Sequence, residues 1–127
     1  MPRPRRIFLL LPFVVLPIFA GSWSGVLVDA DCYAREERNV DPKNTTFDVD
    51  RDRDLEIRYC LPSPKTKSFA VVQFSGQSFK LDSAGNAKAA EIVPKTTKKS
   101  RIHVTVTGQM VKNVVSVDSI IAGLRTP

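Results

Sequence analysis

Four aspartates at every second position, Asp48, Asp50, Asp52 and Asp54, are the residues most suggestive of chemistry in this chain. Carboxylates at that spacing resemble a calcium loop, because Ca²⁺ takes six to eight oxygen ligands. The detail departs from that pattern. Arg53 stands where the turn glycine belongs, and Tyr59 stands where a bidentate Glu must close the loop. Arg51 and Arg53 also neutralise the run locally. The run therefore reads as a solvated segment of alternating charge, and no metal site is assigned. A weak calcium-dependent binding module is kept as an alternative.

His103 is the single histidine. Zinc sites draw on three or four His, Cys or carboxylate ligands, and no second His stands near it in sequence. No nucleophile-elbow pattern accompanies it either, so an envelope-associated hydrolase is a rival without a convergent set of polar residues. His103 reads as an exposed histidine on the polar face of a strand. Lys95, Lys98, Lys99 and Arg101 form the one basic cluster and are the candidate ligand contacts. Cys32 and Cys60 are the only cysteines, and an even count in an exported chain favours a disulfide. No residue pattern implies a cofactor.

The elements that must carry these residues are mostly strands. Trp23–Ala30 reads as a first strand, apolar on both faces at Val26-Leu27-Val28, with Gly25 marking a bulge or bend. Residues 33–54 read as a long surface loop with one helical turn at Ala34–Arg38, its base stapled by the cysteines. Leu55, Ile57, Tyr59 and Leu61 alternate with polar residues and predict a short strand that Pro62 and Pro64 end. Phe69–Phe74 and Phe79–Leu81 form a hairpin about Ser75-Gly76. Phe69, Phe74 and Phe79 are assigned to the core. Asn86 caps one short helix running to Val93. Ile102, Val104 and Val106 alternate cleanly with His103, Thr105 and Thr107. A last strand covers Val114–Ile121 after a turn at Lys112-Asn113, with a bulge near Ser119. The fold class is thus all-β with one short helix: a small five-stranded OB-like barrel. An open sandwich of the same strands is the alternative.

The N-terminal segment has a different role. Arg3, Arg5 and Arg6 precede an uncharged apolar run from Ile7 to Phe19, and Ala20-Gly21-Ser22 supply small residues at its end. This is the pattern of a secretory signal peptide. The run is shorter than the ~20 apolar residues a membrane span requires, so no stable anchor is expected after cleavage. Residues 1–22 read as the leader and 23–127 as the barrel domain. The 127-residue chain has 19 basic and 13 acidic side chains, a net of +6; losing three arginines with the leader leaves +3. That charge is too mild to indicate nucleic acid as a partner. The expected location is periplasmic or secreted.

Trp23-Ser24-Gly25-Val26-Leu27-Val28-Asp29 followed by Cys32, then Phe79-Lys80-Leu81-Asp82, Val104-Thr105-Val106-Thr107-Gly108 and Val117-Asp118-Ser119-Ile120, resemble in order and spacing a family of small secreted bacterial proteins with an OB-like barrel and no assigned function. The resemblance spans most of the chain after the leader. It implies an exported, non-catalytic barrel module of the cell envelope, binding or structural, with envelope glycans or proteins as partners. The family has a glycine-containing turn before its last strand, where this chain has Lys112-Asn113. The family offers no catalytic residues to carry over.

Overall fold

The computed structural model describes residues 19–38, 46–94 and 100–123; the side chains of Phe19 and of residues 46–50 are outside the description. The element order is β1 (Phe19–Asp29), α1 (Ala30–Arg38), α2 (Thr46–Tyr59), β2 (Phe69–Val72), β3 (Ser78–Leu81), α3 (Ser83–Ile92), β4 (His103–Val111) and β5 (Val114–Ala122). The five strands close into a barrel in the order β1-β2-β3-β5-β4. All neighbours are antiparallel except β3 and β5, which pair in parallel through Lys80↔Val114 and Leu81↔Val115.

Strand β1 serves two partners. Phe19–Val26 pair with β4, and Val26–Asp29 pair with β2. The changeover falls beside Gly25, where a Cβ would stand 2.3 Å from the Val72 carbonyl oxygen and 2.8 Å from Val71 Cγ1. Only a residue without a side chain lets the two backbones approach this closely. A second irregularity lies between β4 and β5. Thr107 pairs with Ser119 but Gly108 pairs with Val117, so Asp118 is the bulged residue, next to the position expected for the bulge. A Cβ on Gly108 would lie 2.0 Å from the Ser116 oxygen. The β4–β5 turn has positive φ at Lys112 (51°) and Asn113 (62°), the pair of left-handed residues that a tight two-residue hairpin needs.

Two apolar clusters result. The barrel interior holds Leu27, Phe69, Val71, Phe79, Leu81, Val104, Val106, Val115 and Val117, and Ala89 and Val93 of the α3 segment join it. The second cluster lies against β1 and β2 and comprises Val26, Val28, Ala70 and Val72 with Ala30, Tyr33, Ile57 and Cys60. It explains why β1 and β2 are apolar on both faces: one face fills the barrel and the other is covered by α1 and α2.

Several sequence expectations are corrected. The segment 33–54 is not a long loop: α1 and most of α2 occupy its described residues. Leu55–Leu61 is not a strand. Through Tyr59 it is the end of α2, where Ile57 is buried while Leu55 and Tyr59 are 54% and 71% exposed, because a period of two cannot keep residues on one helical face. The described residues therefore contain three short helices rather than one. In α3 the N-cap is Asp82, whose Oδ1 accepts from the Gly85 N–H at 2.9 Å. Asn86 instead lies within the helix and accepts from the Phe69 N–H at 3.0 Å, tying α3 to β2. Strand β1 begins at Phe19 rather than Trp23, and β4 continues through Gly108 to Val111. Phe69 and Phe79 are core residues, but Phe74 is 97% exposed in the turn after β2.

Cys32 and Cys60 form a disulfide with a Cα–Cα distance of 5.5 Å. It joins the start of α1 to the residue after α2, so it closes the helical pair. Asp29 accepts from the Cys32 N–H at 3.0 Å and from the Thr66 hydroxyl at 3.0 Å, capping α1 and tying it to the segment that leads into β2.

Candidate functional site: the barrel mouth and a cleft beside α2

The barrel opens where the β2–β3 and β4–β5 turns meet the N-terminal half of β1. Residues Phe19–Gly25 have β4 on one side, and no described strand pairs with the other. A cavity of about 450 Å³ fills this mouth, within the range of small-ligand sites. Trp23 from β1 and Met110 from β4 supply its apolar surface, with Phe79 of β3 behind them. The Trp23 and Phe79 rings meet edge to face, centroids 6.0 Å apart, which fixes the indole. Gln73, Gln77 and Ser78 come from the β2–β3 hairpin and Asn113 from the β4–β5 turn. Among the described residues the amide groups of Gln73, Gln77 and Asn113 make no hydrogen bond. None of the described side chains that line the mouth carries a formal charge.

A smaller cleft of about 170 Å³ lies between α2 and the barrel. Its walls include Arg53, Asp54 and Ile57 of α2, Gly25 of β1, Phe74 of the β2–β3 turn, Arg101 and His103. The Arg101 guanidinium donates to the Asp54 carboxylate, and Arg58 lies 3.4 Å from the same carboxylate one helical turn on. Hydrogen bonding from Arg101 holds the Asp54 carboxyl below the usual carboxylate range. His103 is half-buried rather than exposed, and its Nε2 has no hydrogen-bond partner among the described residues. Among the described residues the cleft lining contains no Ser, Thr or Cys to serve as a nucleophile beside His103.

A third grouping lies between α1 and α2. The Tyr33 phenol is buried without a hydrogen-bond partner of good geometry, and burial followed by the neighbouring Glu37 and Glu56 carboxylates raises its pKa. Burial pushes the Glu56 carboxyl up to about 7, and Glu37, Glu36 and Asp52 add to that direction. No group of three or more His, Cys, Asp or Glu that could hold a metal ion occurs among the described residues.

Of the residues singled out in the sequence, Lys95, Lys98 and Lys99 lie outside the described residues. Arg101 belongs to the cleft, where it binds Asp54, and is not part of the mouth. The aspartate run lies on α2; its two members with described side chains, Asp52 and Asp54, stand at i, i+2, about 200° apart around the helix, so these two do not converge as a loop would make them. Trp23, Gln73, Gln77 and Asn113 are dispersed along the chain and form no motif in the sequence. The signal for them was available: one tryptophan, and two turn sequences at strand ends that a closed barrel brings together. No helix of the described residues is long and apolar enough to cross a membrane. Comparison with protein families, with curated proteins and with solved structures finds no match.

Proposed function

We propose that this chain is an exported, non-catalytic binding module of the bacterial cell envelope, periplasmic or secreted, built on an OB-like barrel. The strand order β1-β2-β3-β5-β4, the parallel β3–β5 pair and a helix between β3 and β4 support the OB-like reading. The basic, apolar and small-residue segments of residues 1–22 support export, and a disulfide is compatible with an oxidising compartment. The reading agrees with the resemblance to small secreted bacterial barrels.

The observation that carries the binding role is the mouth. It combines an aromatic ring held in place by a second ring with three amides that make no bond to the described protein. Polar groups converging in a concave site of this size are how small-ligand and glycan sites fix a bound molecule. The cleft favours the rival hydrolase less, since among the described residues its histidine has no nucleophile beside it and its aspartate is engaged by two arginines.

The test is a pull-down with tagged, exported protein from envelope extract, run beside a Gln77→Ala/Asn113→Gly variant. A glycan or protein retained by the first and lost by the second is the expected result. Equal retention by both, or none by either, counts against an envelope ligand held at the mouth.

A further inference from the structure

Resting on the binding-module reading, we infer that the barrel mouth is a site for an uncharged sugar, one or two pyranose units of a polysaccharide, with Trp23 as the surface on which a ring packs. The chemistry of the lining selects this class. A pyranose presents an apolar C–H face and a rim of hydroxyls, each both donor and acceptor. The indole of Trp23 offers the flat apolar partner, and Met110 adds a polarisable thioether beside it. The amides of Gln73, Gln77 and Asn113 each present donors and an acceptor in one group, which matches a hydroxyl in either role.

The same lining disfavours other ligands. A nucleic-acid strand needs cationic side chains along the groove, and none of the described side chains lining the mouth is cationic. An anionic sugar would likewise find no charged partner among the described lining residues. A purely apolar ligand would bury the three amides without hydrogen bonds, which costs free energy.

Two features make the site measurable. Trp23 is the single tryptophan of the chain, so intrinsic tryptophan emission reports on the mouth alone. Asn113 has φ of 62°, so Asn113→Gly removes its amide while keeping a residue suited to that backbone. Gln77 is exposed and its side chain holds no other element, so Gln77→Ala leaves the fold intact.

The experiment titrates the exported protein with maltotetraose, an N-acetylglucosamine tetramer, a galacturonic acid tetramer and an oligothymidylate, following Trp23 emission. At least one of the two neutral tetramers should give a saturable change, and the two anionic probes should give none. Gln77→Ala and Asn113→Gly should each weaken the neutral sugar roughly fivefold, the loss of about one hydrogen bond, with unchanged melting temperature. The inference is overturned by the absence of a saturable response to either neutral tetramer up to about 10 mM, by binding that both variants leave unchanged, or by preference for an anionic probe. If the pull-down still yields an envelope protein lost with the double variant, the binding-module reading stands and the sugar assignment alone fails. If the pull-down is empty while a neutral tetramer binds as described, the envelope role fails and the sugar site stands.

Discussion

Asp82 joins three parts of the molecule with one carboxylate. Its Oδ1 accepts from Gly85 N–H, capping α3, and from Val117 N–H at 3.2 Å, which holds β5 against the same helix. Asp82→Ala removes the cap and leaves a part-buried N–H of β5 unpaired. The expected destabilisation is roughly 1–3 kcal/mol, and Asp82→Asn should recover most of it because an amide oxygen can accept both bonds. Denaturant melts of the two variants test this; equal loss in both would mean that charge, not hydrogen bonding, is what matters there. Glu56 predicts a different behaviour. Its carboxyl is raised to about 7 by burial and neighbouring acids, above its value of 4.5 in a free chain. The folded state therefore holds a proton that the unfolded state has lost between those values, so stability is greatest below about 4.5 and falls as pH rises to about 7. Asp54 acts oppositely and at lower pH: its lowered pKa contributes stability that is lost as pH falls through the folded value. Melting temperature should decline from pH 5 to pH 8 in the wild type, and Glu56→Gln should flatten that decline. A wild-type profile already flat over this range would refute the assignment.

At the scale of elements, few of the described side chains hold the α1–α2 pair to the barrel. Tyr33, Ile57 and Cys60 are its main buried contacts with the outer faces of β1 and β2, beside the helix-starting Ala30. The Arg101–Asp54 pair adds a second tie about one helical turn before Ile57, but a half-exposed ion pair of this kind is worth no more than about 1 kcal/mol. The disulfide matters more. Closing a loop of about 29 residues restricts the unfolded chain by roughly 3.6 kcal/mol at 25 °C. Cys60→Ser, or reduction, should lower stability by an amount approaching that figure and speed proteolysis within 33–59. Because Val26, Val28, Ala70 and Val72 lie under the helices, their release would also expose an apolar face of the sheet, so dye binding should rise with cleavage. A reduced protein with unchanged melting and proteolysis would show that the helices hold without the bridge.

For the whole molecule, the prediction concerns where the exported chain starts. The apolar run ends in Ala20-Gly21-Ser22, and export should leave a mature N-terminus between Gly21 and Trp23. The structure adds a consequence to each start. A chain beginning at Gly21 keeps the pairs Gly21↔Gly108 and Ser22↔Thr107, whereas one beginning at Trp23 loses both and brings its α-amino group to the barrel mouth. Intact mass of protein from the exporting host distinguishes the two. Retention of Arg3–Arg6 in most of the material would refute export with cleavage.

Some of this architecture is legible in residue order alone. The β2–β3 hairpin, the helix after it and the β4–β5 pair each announce themselves locally, through alternation in Ile102–Thr107, a turn at Ser75-Gly76, and Lys112-Asn113 between two apolar strands. The disulfide is legible in the even count of two cysteines. Such features depend on neighbours a few residues apart, which is the range over which backbone preference and side-chain period act. The fate of 33–59 was not legible in that way. Its charged residues lack an apolar period, and the alternation at Leu55–Leu61 mimics a strand; what makes it helical is that Ile57 and Tyr33 cover the outer faces of β1 and β2. The apolar run Val26-Leu27-Val28 signalled a sheet buried on both sides but could not say what covered it. Likewise Asp54 and Arg101 stand 47 positions apart, and Trp23 meets Gln77 and Asn113 only because the barrel closes. Closure and face-to-face burial are properties of the assembled sheet, so tertiary structure alone decided which polar residues came to share a cavity.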